Sequence, residues 1–203
     1  LRNMGIVLEE VSPQVMEKLS ETQSPQGIVG IGARKQFLLG DAQTKTGKRL
    51  VICDGIKDPG NLGAIIRTAD VFASDTIVIL PNTTNPYAPK AIRASAGGIF
   101  NLSVVFTEKE TLLPWLTNTG IRLIVTVPQG GKRIRDIDML KPFAVVIGEE
   151  AAGVATDIIG MADELATIPM GGITGSLNAA AAAAVFLYES FRVRAESGVD
   201  TVD

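Results

Sequence analysis

The sequence predicts an α/β fold in which a mostly parallel sheet carries helices on both faces. From Arg49 onward, short apolar segments alternate with segments whose apolar residues recur at helical spacing. The apolar segments are near-continuous, which is typical of strands buried on both faces of a parallel sheet. With 203 residues and 46% hydrophobic residues, the chain is long enough to bury one sizeable core.

The first forty residues form a short prelude to this pattern. Residues 7–11 are expected to form a strand, and a Ser-Pro pair opens 12–19, which is typical of a helix N-terminus. A brief extended segment is expected at 27–31. The polar stretch 40–48 is expected to be a linker, and because the chain begins with Leu1, we expect it to start partway through a longer protein.

Six strands and five helices are predicted after this prelude. Apolar runs mark the strands, which are expected at 50–53, 76–80, 102–106, 122–127, 143–147 and 165–168. Helical spacing of apolar residues, glycines at helix ends and a run of six alanines mark the helices. They are expected at 62–73, from 90 to the Gly-Gly pair 97–98, and at 109–117, 156–161 and 176–195.

Composition excludes several kinds of site. The chain has no histidine, so a Ser-His-Asp triad or a histidine-based metal site is excluded. The single cysteine, Cys53, lies in an apolar run; it can form no internal disulfide and is expected to be a buried thiol. A net charge of −3 disfavours a nucleic-acid binder, although a local basic patch can still bind RNA. No apolar run approaches the length of a membrane span.

Three glycine-bearing loops follow predicted strands, at the edge where ligands bind in open parallel sheets. They are the segments 54–61, 148–153 and 169–175. In the third, Ser176 is expected to cap the last helix, whose N-terminal N–H groups suit a ligand with negative charge. A well-capped core helix after a glycine-rich turn is the structural alternative.

The first loop leads into a helix that carries Arg67. We expect Asn61 at the N-cap of this helix, with Arg67 nearly two turns further on and flanked by apolar residues. Arg67 is either a solvent-facing charge on an amphipathic helix or a residue that binds phosphate or carboxylate. The second interpretation rests on the planar guanidinium, which suits bidentate contact.

The second loop carries two adjacent carboxylates, Glu149 and Glu150, bracketed by Gly148 and Gly153. They are either a polar strand exit or part of a ligand site, since glycines let a backbone approach a ligand closely. The three loops offer amides, an arginine and glutamates, but no thiol or imidazole. This inventory suits the positioning of a pre-activated substrate better than covalent catalysis.

At these loops the sequence resembles the SpoU family of RNA ribose 2′-O-methyltransferases, in the SPOUT superfamily. The resemblance covers about residues 49–192, and the family's three motifs occur in order. They are Asp-Pro-Gly-Asn-Leu-Gly at 58–63 with Arg67, Ile-Gly-Glu-Glu at 147–150 with Gly153, and Ile-Pro-Met at 168–170 with Ser-Leu-Asn at 176–178. Two places depart from the family pattern: Glu149 stands where asparagine is frequent, and Ala179-Ala180 where Val-Ser is frequent.

The resemblance implies a deep C-terminal trefoil knot, an exception to ordinary chain topology. It implies that residues 1–40 are the remnant of an N-terminal RNA-binding domain plus a linker, and that 41–203 form the SPOUT methyltransferase domain. It also implies a homodimer whose sites are completed across the contact, and S-adenosylmethionine as cofactor. No metal is expected, because the residues near Glu149 and Glu150 offer no set of Asp and His ligands. The residues implied for the cofactor are Val127, Pro128, Gly148, Ile168, Met170 and Leu177.

The implied reaction is an in-line attack of a ribose 2′-hydroxyl on the electrophilic methyl carbon of the cofactor. The protein must align oxygen, carbon and sulfur and help to remove one proton. Arg67 corresponds to the family's proposed catalytic arginine, and because a guanidinium resists deprotonation, we expect it to clamp phosphate and orient the hydroxyl. The side chains implied to arrange the site and the proton's path are Asn61, Glu150, Ser176 and Asn178.

Contacts to the RNA backbone are expected from exposed basic residues, with solvated surface charge as the alternative for each. These residues are Arg34, Lys35, Lys90, Arg93, Lys132 and Arg133. We therefore expect a cytoplasmic RNA 2′-O-methyltransferase that acts on ribosomal RNA, with transfer RNA as the second choice. The alternatives are a non-catalytic RNA-binding protein of the same fold and a nucleotide-dependent oxidoreductase, whose glycine fingerprint is incomplete here.

Overall fold

The computed structural model describes residues 6–20, 26–42, 49–173 and 175–199. The chain divides into two compact units, Leu1–Lys35 and Gln36–Asp203. That the first unit is the remnant of an RNA-binding domain stays a prediction. The linker predicted at 40–48 falls mostly outside the described residues, which omit 43–48.

The first unit contains one helix, α1 (Pro13–Leu19), among its described residues. Ser12 caps it by accepting a hydrogen bond from the N–H of Val15, and Pro13 occupies the first helical position, as the Ser-Pro pair predicts. The strand predicted at 7–11 and the extended segment at 27–31 form no strand. A strand needs a neighbouring strand whose backbone groups accept and donate its hydrogen bonds. In the described part of this unit, neither segment has such a neighbour.

The second unit is built on a parallel sheet. Its strands are β1 (Arg49–Asp54), β2 (Thr76–Ile79), β3 (Ser103–Phe106), β4 (Arg122–Thr126), β5 (Lys132–Arg133), β6 (Phe143–Gly148) and β7 (Glu164–Thr167). Their order across the sheet is β3-β2-β1-β6-β4-β7-β5, and every neighbouring pair is parallel. The predicted parallel sheet is confirmed. β5 was not predicted, because two charged residues make no apolar segment.

Helices cover both faces of this sheet, as predicted. They are α2 (Pro59–Val71), α3 (Pro89–Ala94), α4 (Lys109–Thr119), α5 (Thr156–Gly160) and α6 (Ala179–Glu196), with single 3₁₀ turns at Leu39–Asp41, Gly98–Phe100 and Ile134–Asp136. A hydrophobic core lies on each face of the sheet, and alternate residues of β1 belong to one core or the other. Val51 packs with α2 and α6, whereas Leu50 packs with α4 and α5. The trefoil knot stays a prediction.

The register brings the ends of four strands together. Asp54 at the end of β1 lies beside Gly148 at the end of β6, and Thr126 of β4 lies beside Ala166 of β7. The three glycine-bearing loops therefore leave the same edge of the sheet. In the described part of the chain, no helix is both long and apolar enough to span a bilayer.

Two predicted helix caps are wrong. Asp58, not Asn61, caps α2 by accepting the N–H of Asn61 at 2.9 Å, with Pro59 in the first helical position. Asn178, not Ser176, caps α6. Aspartate and asparagine compete equally well with serine for such positions. As a result, the side chain of Asn61 stands inside the first turn of α2 and is available for other contacts.

Candidate active site

Three side chains, two from the first and second loops and one from the cap of α6 after the third loop, meet in one hydrogen-bonded network. Oε1 of Glu150 accepts Nδ2–H of Asn61 at 2.6 Å and Nδ2–H of Asn178 at 2.5 Å. The backbone N–H of Ala179 approaches the same oxygen at 3.4 Å, and the Asn178 amide also donates to Oδ1 of Asn61 at 3.1 Å. Residues 89 and 28 positions from Glu150 thus converge on one carboxylate oxygen.

The cap of α6 fixes the orientation of the Asn178 amide. Its Oδ1 accepts the N–H groups of Ala180 and Ala181 at 2.9 and 3.2 Å. Because the oxygen is engaged in capping, the NH₂ group points toward Glu150, and a flipped amide would lose both bonds. One residue therefore joins the helix N-terminus to the polar network.

A cavity of about 300 Å³ adjoins this network at the ends of β4, β6 and β7. Its walls are mainly apolar, and Glu150, Ser176 and all six residues implied for the cofactor line it. Residues at and just after the strand ends contribute to the lining, among them Val127, Pro128, Ile147, Gly148, Val154 and Ile168. Sequence analysis did not identify Ile147 or Val154 as lining residues, although the end of a predicted parallel strand is itself a signal for such a position.

The wall at Gly148 is shaped by a close approach of the backbone. Glu149 and Gly153 pair through two backbone hydrogen bonds of 3.1 and 2.8 Å, so the loop folds back over the end of β6. A Cβ at Gly148 would lie 2.4 Å from the carbonyl carbon of Gly153. Only glycine fits this position without displacing the loop.

Other contacts hold the same loop from outside the cavity. The carboxylate of Asp54 accepts the N–H of Ala155 at 2.9 Å, and Lys109 forms an ion pair with Asp157. This pairing raises the pKa of Lys109 and lowers that of Asp157. Sequence analysis missed these supports, since no local pattern reveals a contact between segments about fifty or a hundred residues apart.

Two of the predicted catalytic residues lie outside the network. Arg67 is exposed on α2, and its side chain forms no hydrogen bond or ion pair with another described residue. Ser176 is exposed and lines the cavity, two residues before the cap of α6. The structure thus brings together Asn61, Glu150 and Asn178, places Ser176 beside them, and leaves Arg67 on the surface.

The predicted RNA-contacting residues differ in their surroundings. Lys90 pairs with Asp58 at 2.6 Å, and Lys132 lies 3.6 Å from a carboxylate oxygen of Glu164. All six side chains are exposed; the other four are Arg93 on α3, Arg133 on β5, and Arg34 and Lys35 in the first unit. RNA contact by all six stays a prediction.

The site offers few groups for covalent chemistry. Burial raises the pKa of the Cys53 thiol to about 12, so this cysteine, inside the sheet, is not a nucleophile at neutral pH. Among the described residues, no cluster of three or more His, Cys, Asp or Glu side chains is arranged to hold a metal ion. Oriented amides, one carboxylate and an apolar cavity are what the arrangement provides.

Comparison with known proteins agrees with this geometry. The 23S rRNA (guanosine(2553)-2′-O)-methyltransferase of Bacillus subtilis is 29% identical over 91% of this chain and 72% of its own length. The AdoMet-bound rRNA methyltransferase of Sinorhizobium meliloti superposes with a TM-score of 0.84 and 32% identity, over 90% of this chain and 70% of that one.

A second solved structure and a family model point the same way. The SpoU methyltransferase AviRb from Streptomyces viridochromogenes, in complex with the cofactor AdoMet, has a TM-score of 0.75 and 30% identity, over 80% of this chain and 66% of that one. The model of the SpoU rRNA methylase family matches residues 48–188. The resemblance predicted from the three motifs is confirmed: the chain belongs to the SpoU rRNA methylase family.

Proposed function

We propose that this chain transfers a methyl group from S-adenosylmethionine to a ribose 2′-hydroxyl of ribosomal RNA, in the cytoplasm. The observation that carries the proposal is the convergence of Asn61, Glu150 and Asn178 beside a cavity of about 300 Å³. The family of the chain and its AdoMet-bound relatives support the same activity. The relative from Bacillus subtilis favours ribosomal RNA over transfer RNA.

The residues of the cavity fit this cofactor. A volume of about 300 Å³ lies within the usual range for small-molecule sites. Val127, Ile147 and Val154 provide apolar surface for an adenine ring, and the backbone of Gly148 can approach a ligand closely. When bound, the cofactor supplies an electrophilic methyl group, so the chain needs no nucleophile of its own.

The carboxylate of Glu150 is the group best placed to act on the attacking hydroxyl. Its Oε1 accepts three N–H donors, whereas no described residue donates to Oε2. Oε2 is therefore the oxygen that accepts a hydrogen bond from the ribose hydroxyl. Asn61 and Asn178 hold the carboxylate in place, which provides the alignment that a methyl transfer requires.

Arg67 is proposed to bind the RNA phosphate next to the target ribose. Its guanidinium is exposed and is paired with no other described side chain, so it can accept a phosphate without first losing a protein contact. It remains protonated in proteins, which suits the clamping of phosphate rather than the removal of a proton.

A homodimer is proposed to complete the site. At the C-terminal end of α2, the ring of Phe72 packs on α6, with its centroid 5.7 Å from that of Tyr188. The apolar side chains of Val71, Phe100, Val185 and Tyr188 are exposed on these helices and the neighbouring turn. Sedimentation equilibrium is expected to give twice the chain mass of 21.4 kDa, and a monomer at micromolar concentration would contradict this proposal.

Transfer of tritium from labelled S-adenosylmethionine to RNA tests the activity. The purified chain is expected to label the ribose of deproteinised 23S rRNA, identified after nuclease digestion as a 2′-O-methylated nucleotide. Label only in transfer RNA would reject the ribosomal substrate, and no label in either RNA would reject the activity.

Arg67→Ala tests the proposed phosphate-binding role of Arg67, which lies outside the hydrogen-bonded network around Glu150. Loss of a phosphate clamp is expected to lower kcat/KM by about 10²-fold or more, while calorimetry shows unchanged affinity for the cofactor. Arg135→Ala is the matched control, since Arg135 is an exposed arginine whose one ion-pair partner among the described residues is the adjacent Asp136. Full activity of Arg67→Ala would remove this residue from the mechanism.

A further inference from the structure

We infer that Thr167 is the positioning residue that sets the width of the cofactor cavity, an inference that rests on the proposed function. Thr167 ends β7 and does not itself line the cavity, whereas its two neighbours, Ala166 and Ile168, do. Its hydroxyl faces the loop that follows β4, which forms the adjoining part of the cavity wall.

The hydroxyl forms a hydrogen bond with the backbone at each end of that loop. Oγ1 of Thr167 donates to the carbonyl of Val127 at 3.1 Å and accepts the N–H of Gly131 at 2.9 Å. The N–H of Val127 also donates to the carbonyl of Ala166 at 2.8 Å. Residues 127–131 are thus held against β7 at their first and last positions, and Val127 and Pro128, which line the cavity, lie within the held segment.

Gly131 makes this contact possible. A Cβ at this position would lie 2.8 Å from both the carbonyl oxygen of Leu165 and Oγ1 of Thr167. The backbone of Gly131 therefore rests directly on β7, close enough for its N–H to reach the hydroxyl. One side-chain oxygen thereby sets the spacing between two cavity walls that belong to different strands.

The physical consequence concerns binding rather than chemistry. Without the hydroxyl, the N–H of Gly131 loses its partner and the loop must be ordered again each time a ligand binds. Affinity for the cofactor falls, but the network around Glu150 is untouched. Binding and turnover are therefore expected to separate in a variant of Thr167.

The test compares Thr167→Val, which removes the hydroxyl at nearly constant shape, with Thr167→Ser, which keeps it. Thr117→Val is the matched control, because the Thr117 hydroxyl donates to the carbonyl of Leu113 in its own helix and, within the described part of the chain, to no other group. For Thr167→Val we expect about tenfold weaker calorimetric binding of S-adenosylmethionine and a raised KM for it, with kcat at saturation within about twofold. For Thr167→Ser and Thr117→Val we expect affinities within about twofold of the wild type.

Hydrogen exchange of the Gly131 amide supplies a readout that needs no cofactor. Its protection is expected to be lost in Thr167→Val and kept in Thr167→Ser. Unchanged affinity in Thr167→Val, or equal weakening in both Thr167 variants, would overturn the inference. If the wild type binds no cofactor, the proposed function fails, and the Gly131 amide alone then decides whether Thr167 holds the loop.

A second variant keeps the inference testable if Thr167→Val does not fold. Gly131→Ala keeps the hydroxyl of Thr167 but places a methyl group against β7, which pushes the loop away, and it is expected to weaken cofactor binding in the same way. Wild-type affinity in a folded Gly131→Ala protein would show that the spacing of loop and strand does not govern binding.

Discussion

The two sides of the candidate site are built differently. On the cavity side, Glu150 is bound by two asparagine amides, and Gly148 leaves no room for another side chain. On the outer side, the side chains of Arg67 and Arg93 are exposed and form no hydrogen bond or ion pair with the other described residues. A preorganised pocket suits a small ligand of constant shape, whereas exposed cations suit a large anionic partner that supplies its own order. We therefore call the side with Gly148 and Glu150 the proposed cofactor half of the site, and the side with Arg67 and Arg93 the proposed RNA half.

The largest expected effect comes from breaking the preorganised half at Glu150. Glu150→Ala removes the acceptor that two amides and a backbone N–H share, and with it the proposed partner of the ribose hydroxyl. We expect kcat to fall by about 10²- to 10⁴-fold. Steady-state methyl transfer measures the loss.

Glu196→Ala is the control for Glu150→Ala, because Glu196 is an exposed glutamate that pairs with Arg192 far along α6. It is expected to leave turnover unchanged. A Glu150→Ala protein with near-wild-type kcat would mean that the network is a structural tie rather than part of the chemistry.

Gly148→Ala is a second substitution that is expected to disturb the proposed cofactor half of the site. A methyl group at 2.4 Å from the backbone of Gly153 forces the cavity loop to move, and overpacking of this kind costs about 1–3 kcal/mol of folding free energy. Denaturant unfolding measures this cost, and cofactor affinity is expected to fall with it. Gly160→Ala is the matched control, since a Cβ there meets nothing within 4 Å. Equal stability of the two variants would show that the Gly148 wall yields easily.

The same contrast explains what the sequence predicts well. Buried strands such as β1 and β6 were located to within one or two residues, because continuous apolar runs report burial on both faces. β5 was missed, since Lys132 and Arg133 form a strand only through their pairing with β7. Its existence depends on a neighbour about thirty residues away, which no local pattern encodes.

The site residues divide in the same manner. Three motifs predicted that Asn61, Glu150 and Asn178 belong together, but the sequence predicted the wrong caps. Asp58 and Asn61 are equally suitable cap residues, and the proline after Asp58 was the signal that decides between them. Distances such as 2.6 Å from Asn61 to Glu150 depend on the register of the sheet, which apolar patterns do not specify.

The smallest expected effect concerns Lys90. This residue is a predicted RNA contact, and in the structure it forms an ion pair with Asp58, the N-cap residue of α2. The hydrogen bond from Lys90, together with the N–H of Asn61, holds the pKa of Asp58 below its ordinary value. Because this pKa is lowered on folding, the stabilisation is fully present above the ordinary carboxyl pKa. It is lost as the pH falls through the lower folded value, below about pH 4.

Lys90→Met is therefore expected to raise the pKa of Asp58 toward its ordinary value and to destabilise the protein slightly at pH 7, but not in acid. NMR titration of the Asp58 carboxyl and unfolding at both pH values measure this. Arg93→Met, one turn further along α3, is the matched control and is expected to leave the pKa unchanged. Lys90→Met could instead leave the pKa of Asp58 unchanged and weaken RNA binding with a reduced salt dependence. Lys90 would then be an RNA-binding residue like Arg67, and the proposed RNA-binding side of the site would extend to the N-terminus of α2.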